Sequence, residues 1–306
     1  MSGRGRPIIR RPVTPLDPSL ATRPVPQERT FTGRSFGPGA TADIHKTARP
    51  LKEIDPEAVP ESFHPADCLH YNNVTRNNTT RNLLDVVERW ENIRSDDGKV
   101  FLERDPTWGF YVFVTDYSTE VSENIHQAME TFLGVVQRKL RYWTCLPYAE
   151  EAFLRFKLDL VEDQATLEGA SYDRIRSEFR ALIQAKIRDL KSSSEEWDDK
   201  ENFDLWPRAR YQACLVLDGA AVSMLANVPP FENLEEHDCF LINNVVLKVI
   251  DRFWERPPPV VLSPEEYRGL VDCSIGRIPL LYHEITSYSS GDAVETFYEH
   301  QRLGLW

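Results

Sequence analysis

The sequence predicts an α+β protein: a small mixed or antiparallel sheet packed against several helices, preceded by a disordered N-terminal tail. Three observations predict this. Three apolar runs of strand length each close at an aspartate: Phe110-Tyr-Val-Phe-Val-Thr-Asp116, Cys214-Leu-Val-Leu-Asp218 and Val245-Val-Leu-Lys-Val-Ile-Asp251. Longer stretches repeat apolar residues at intervals of three and four, the spacing of a helix with one buried face. Strand and helix candidates alternate irregularly without an internal repeat, which favours α+β over a doubly wound parallel sheet.

The elements follow in chain order. Residues 1–65 hold eleven prolines and no periodic apolar pattern, so they cannot bury enough surface to offset backbone entropy and read as the tail. Residues 66–306 are expected to form a single globular α+β domain with an acidic loop at about 191–204. A first helix starts near Asn82, with Leu83, Leu84, Val86, Val87, Trp90 and Ile93 at helical spacing. A short strand at 99–103 is expected to form a hairpin with the strand that opens at Trp108. Ser118 is placed to cap a long helix marked by Val121, Ile125, Met129, Phe132, Val136 and Leu140. A second helix is expected over 149–161, with Phe153, Phe156 and Leu160 inward, and a third after Ser171 on Ile175, Phe179, Ile183 and Ile187. Residues 191–204 carry six carboxylates against two lysines and mark a break. A strand over 210–217 and a short helix over 220–226 come next. Asn243-Asn244 interrupts the last apolar pair of runs as a tight turn or a simple break. Ser263-Pro-Glu-Glu266 is a capping box that opens a helix, and Asp292 repeats that logic before a C-terminal helix.

Charge narrows the classes of partner. The chain carries a net charge of −12, yet residues 1–42 hold seven arginines against Asp17 and Glu28. The folded part is therefore strongly acidic and repels nucleic acid and anionic lipid. No nucleic-acid or membrane partner is expected. Five widely spaced cysteines (Cys68, Cys145, Cys214, Cys239, Cys273) contain no Cys-x-x-Cys pair, which argues against a disulfide framework or a zinc site. The N-terminus has no apolar leader pattern, so an intracellular location, cytoplasmic or nuclear, is expected. Pro12-Val-Thr-Pro15 has the minimal spacing for groove-type recognition, though no arginine flanks it as an SH3 ligand would require. Together with the missing catalytic motifs, such a tail points to a protein partner.

The run Trp108-Gly-Phe-Tyr-Val-Phe-Val-Thr-Asp-Tyr117, the long helix after it, Tyr211-Gln-Ala-Cys-Leu-Val-Leu-Asp218 and Val249-Ile-Asp251 together resemble an uncharacterised family of filamentous-fungal proteins. The resemblance covers about residues 80–256. It departs where that family carries Arg-Thr before an aromatic residue, a position occupied here by Val114-Thr115. It implies no activity, cofactor or site. What it implies is a context, that of accessory proteins of fungal secondary-metabolite pathways.

The candidate chemistry rests on Asp116, Asp218 and Asp251. Carboxylates converging at one sheet edge would bind Mg²⁺ or Mn²⁺, hard cations that take oxygen ligands. Each aspartate also has a local duty: Asp218 precedes Gly219-Ala-Ala-Val as an N-cap, Asp116 hands a strand to the helix behind Ser118, and Asp251 neighbours Arg252. His126, His237, His283 and His300 are scattered, and His283-Glu284 lacks the second histidine of a zincin helix. There is no nucleophile elbow, phosphate-binding loop or dinucleotide fingerprint, so no organic cofactor is expected. The sequence thus favours a non-catalytic protein working through protein contacts, with a metal-dependent or small-metabolite enzyme using the strand-end aspartates as the alternative.

Overall fold

The computed structural model describes residues 33–55, 58, 83–85, 87, 105–143, 146–193, 208–228, 245–255, 266–287 and 292–304. These residues form an α+β fold around a six-stranded mixed sheet, ordered β1-β3-β2-β4-β5-β6. The strands are β1 (Ser35–Phe36), β2 (Trp108–Val114), β3 (Phe156–Val161), β4 (Ala213–Leu217), β5 (Val246–Asp251) and β6 (Leu270–Ser274). Strands β2, β3 and β4 run parallel at the centre. Strand β1 pairs antiparallel with β3, β5 antiparallel with β4, and β6 antiparallel with β5.

Helices cover both faces. On one face lie α1 (Thr119–Trp143), α2 (Leu146–Leu154), α4 (Gly219–Ala226), α5 (Ile278–Ser287) and α6 (Ala293–Arg302); on the other lies α3 (Tyr172–Ser193). The connectivity accounts for this. The chain leaves β2 for β3 on one side, then returns across β2 to reach β4. Parallel crossovers are right-handed, so two crossovers in opposite directions place their helices on opposite faces. Trp108, Phe110, Val112 and Val114 alternate toward α1 and its neighbours, joined by Leu158, Leu160, Leu215 and Leu217. Tyr111 and Phe113, on the alternate positions, meet Ile175, Phe179 and Ile183 of α3 together with Cys214, Val216 and Ile250. Covered on both sides, β2 and β4 are buried at every position, the continuous apolar reading of an interior parallel strand.

Several expectations change. Residues 149–161 are not one helix: α2 stops at Leu154 and residues 156–161 form β3. The spacing of Phe153, Phe156 and Leu160 imitates a helix, but Phe156, Leu158 and Leu160 also alternate with period two. The sheet rewards the second pattern by pairing Phe156 with Trp108 and Leu160 with Val112. No helix runs through residues 266–269, and β6 follows them directly. Among the described residues β2 pairs in parallel on both sides. The strand at 99–103, the Asn243-Asn244 turn and the capping serine Ser263 lie outside the described residues, as do residues 1–32. Part of the segment that composition assigns to the tail belongs to the sheet. Ser35–Phe36 is its edge strand, and Pro38–Ala40, Ile44–Thr47 and Leu51–Glu53 are short helical turns, with Ile44 and Ile54 buried. Helix α3 extends to Ser193, so the acidic break begins within its last turn. No helix among the described residues is long and apolar enough to cross a membrane.

Candidate functional site

In open sheets with parallel strands, ligands favour the crevice where neighbouring strands send their C-terminal ends to opposite faces. Here that point lies between β2, which leads to α1, and β3, which leads to α3. Tyr117 fills it. Its hydroxyl donates to the Val114 carbonyl at 3.1 Å and accepts the Asp163 N–H at 2.8 Å. Burial, reinforced by Glu162, Asp163 and Glu168, pushes the Tyr117 phenol up to about 12, so it stays protonated and keeps donating. Arg34 lies beside the C-terminal end of β3 and is tied to Glu162 at 2.6 Å. A plugged crevice rimmed by carboxylates does not suit a nucleotide phosphate.

The three sequence-predicted aspartates do not share one edge. Asp116 and Asp218 follow the C-terminal ends of β2 and β4. Strand β5 runs the other way, and Asp251 pairs with Ala213 at the start of β4. Five residues at about 3.3 Å each separate Ala213 from Asp218, so Asp251 lies about 16 Å along the sheet from Asp218, well beyond one cation shell. Among the described residues no group of three His, Cys, Asp or Glu side chains is placed to hold a metal ion.

Each aspartate is occupied locally. Asp218 caps α4, accepting the Ala221 N–H at 2.8 Å. Asp116 accepts the Ser118 N–H at 2.9 Å, and its other oxygen closes on Gly219, where any side chain would collide with it. Two carboxylates thus meet at the first turn of α4, whose unpaired N–H groups and dipole favour negative charge there. Asp251 is buried, and its partners are the Phe253 N–H and the Tyr267 hydroxyl, each at 2.8 Å. The Arg252 guanidinium lies 4.2 Å from the centroid of the Phe253 ring. Burial raises the Asp251 carboxyl above its ordinary value despite those hydrogen bonds.

A second cluster, absent from the sequence reading, occupies the opposite edge of the central strands. Asp105 and Thr107 precede β2, Lys157 and Asp159 lie on β3, and Arg208 and Arg210 precede β4. Arg210, 1% exposed, forks between Asp159 and Asp105, the latter at 3.2 Å, and also donates to the Thr107 hydroxyl at 3.1 Å. Lys157 donates to Asp105 at 3.1 Å, Ser35 to Asp159 at 2.6 Å, and Arg208 to the Asp105 carbonyl at 2.6 Å. The Arg210 guanidinium also lies 5.2 Å from the centroid of the Tyr111 ring. Burial opposes ionisation of Asp105, but Arg210, Lys157, Thr107 and Arg208 outweigh it and hold the carboxyl well below the carboxylate range. Gly109 permits this assembly: its φ is +128°, and a side chain there would be driven into the Lys157 carbonyl. The cluster is a largely buried ion network joining three strands and the edge strand, three cations against two carboxylates, and both carboxylates are engaged by cations or hydroxyl donors.

The remaining reactive side chains are similarly disposed. Cys214 and Cys273 are buried, and burial pushes both thiols up, Cys273 to about 12; neither is a nucleophile. Ser287, His283 and Glu284 adjoin on α5, with Ser287 Oγ 3.5 Å from His283 Nε2 and His283 Nδ1 3.5 Å from Glu284. Ser287 is the last residue of that helix, where unpaired carbonyls face outward. An oxyanion formed there would meet negative dipole ends, the reverse of an oxyanion hole.

No family model, curated protein or solved structure matches this chain.

Proposed function

We propose that this protein is non-catalytic and works through protein–protein contacts, in the accessory role that the fungal resemblance implies. One observation carries the reading: the carboxylates at the ends of the central strands, Asp116, Asp218 and Asp251, are all engaged in caps, turns or buried hydrogen bonds. The arginine- and proline-rich composition of the first residues supports a contact role, because such segments present extended backbone to a partner groove.

The test is co-purification of the full chain and of a truncation from their native host. Because Ser35–Phe36 is a strand of the sheet, the truncation removes residues 1–32 and no more. A partner recovered at fixed stoichiometry with the full chain, and reduced with the truncation, is the expected result. A lone monomer in both preparations contradicts the reading. A second reading is a metal-dependent or small-metabolite enzyme. It is favoured by the meeting of Asp116 and Asp218 at the start of α4, and it requires Mg²⁺ or Mn²⁺ to bind there without Asp251.

A further inference from the structure

Helix α3 carries a stripe of Arg176, Arg180, Gln184 and Arg188 at four-residue spacing, so all four lie on one face. The first two are consumed by the fold. Arg176 donates to the carbonyls of Asp251 and Gly269, each at 2.9 Å. Arg180 donates through Nε to the Arg252 carbonyl at 2.6 Å and through Nη2 to the Trp254 carbonyl at 2.8 Å. Three of these bonds clamp the end of β5 and the turn after it against the helix, and the fourth holds Gly269 at the entry to β6. Between that turn and the second half of the stripe lies a cleft of about 600 Å³, lined by Arg180, Gln184, Ile187, Arg188, Arg252, Phe253 and Glu255. Gln184 and Arg188 make no hydrogen bond or ion pair among the described residues, and both are exposed at its wall.

We propose that this cleft binds a small organic dianion, a phosphate monoester or a dicarboxylate. The inference goes beyond the protein-contact reading and stands independently of it. Among the described residues the lining holds Arg180, Arg188 and Arg252 against one carboxylate, Glu255, and of these Arg188 is the exposed guanidinium at the wall, on a protein whose net charge is −12. A guanidinium presents paired N–H donors that match a carboxylate or phosphate edge. The volume lies in the range of small-molecule sites, roughly 300–1,000 Å³, and far exceeds what an inorganic ion fills. Ile187 and the Phe253 ring give the organic body an apolar wall. The clamp made by Arg176 and Arg180 holds the opposite wall in place before any ligand arrives, which lowers the ordering cost of binding. At physiological salt, charges beyond roughly 8 Å are screened, so the arginines lining the cleft outweigh the acidic remainder of the surface for a ligand in contact.

The probes are phenyl phosphate and succinate, with inorganic phosphate and phenol as controls, titrated calorimetrically into the full chain. One saturable site for phenyl phosphate, succinate or both is the expected result, with the pair of titrations deciding which oxyanion is preferred. Inorganic phosphate and phenol should bind more weakly than phenyl phosphate. Arg188→Gln should weaken binding about tenfold, the loss of one charge-assisted hydrogen-bonded partner, while Arg188→Lys retains part of it. Among the described residues Arg188 makes no hydrogen bond or ion pair, so both variants should melt like the parent without ligand. Binding of neither organic anion at millimolar concentration overturns the proposal. So does binding that is indifferent to Arg188→Gln, or inorganic phosphate binding as tightly as phenyl phosphate.

Discussion

Replacing Arg210 with methionine tests whether the buried ion network holds the sheet together. The side chain is 1% exposed and serves Asp105, Asp159 and Thr107 at once. Removing one partner of a buried pair typically costs about 3–5 kcal/mol, because the survivor keeps its desolvation penalty. Two carboxylates survive here, but each retains a partner: Lys157 and Thr107 for Asp105, and Ser35 for Asp159. Lys157 also loses a like-charged neighbour that lowers its own basicity. These compensations place the loss near the lower bound, about 3 kcal/mol at pH 7, a large share of a typical total of about 5–15 kcal/mol. Urea unfolding followed by tryptophan fluorescence measures it. The pH dependence supplies a second signature. In the parent, the depressed Asp105 value contributes stability that is present above the unfolded value of about 3.9 and is lost as pH falls through the folded value. In the variant Asp105, without that cation, is protonated more readily, so the gap between the two proteins should narrow as pH falls from about 7 toward about 4. A loss under about 1 kcal/mol at neutral pH, or one that does not change with pH, would refute the reasoning.

Two further substitutions probe positions set by backbone and burial. Asp251 is held above its ordinary value by burial, so the native state keeps a proton that the unfolded chain releases near pH 4, and stability falls as pH rises through the raised value. Asp251→Asn can still accept the Phe253 N–H and can donate to the Tyr267 oxygen. Its melting temperature should therefore gain on that of the parent as pH rises from about 4 to about 7, and the opposite trend contradicts the assignment. Gly109→Ala forces a side chain into positive φ and into the Lys157 carbonyl; a loss of at least about 3 kcal/mol is expected, read as reduced soluble yield and a lower melting temperature.

Much of the core was legible in sequence because its signals are local. The runs at 108–114 and 213–217 are continuous apolar strands, 246–251 is broken only by Lys248 before its closing Asp251, and the long helices announce themselves by spacing. Strand β3 was not legible, since Phe153, Phe156 and Leu160 satisfy a helical period as well as a strand period, and pairing with β2 decided between them. The fate of the aspartates depended on a quantity that an apolar run does not encode. Its pattern reads the same in either direction, so the reversal of β5, which carries Asp251 to the far edge, becomes visible only in the sheet. The ion network is equally silent in sequence: Arg210 meets carboxylates 51 and 105 positions away. The arginine stripe of α3 was available in the spacing of residues 176, 180, 184 and 188, but the apolar face of the same helix masked it.

The most direct measurement of whether the strand-end carboxylates serve structure or chemistry is thermal melting of Asp218→Asn and Asp218→Ala beside the parent, with Mg²⁺, Mn²⁺ and EDTA. Asparagine caps a helix as well as aspartate does but is a far poorer cation ligand, whereas alanine does neither. If Asp218 is a cap, the asparagine variant melts with the parent, the alanine variant loses about 1 kcal/mol, and no protein responds to metal. If Mn²⁺ or Mg²⁺ raises the melting temperature of the parent and Asp218→Asn abolishes that rise, the aspartates form a metal site and the non-catalytic account fails.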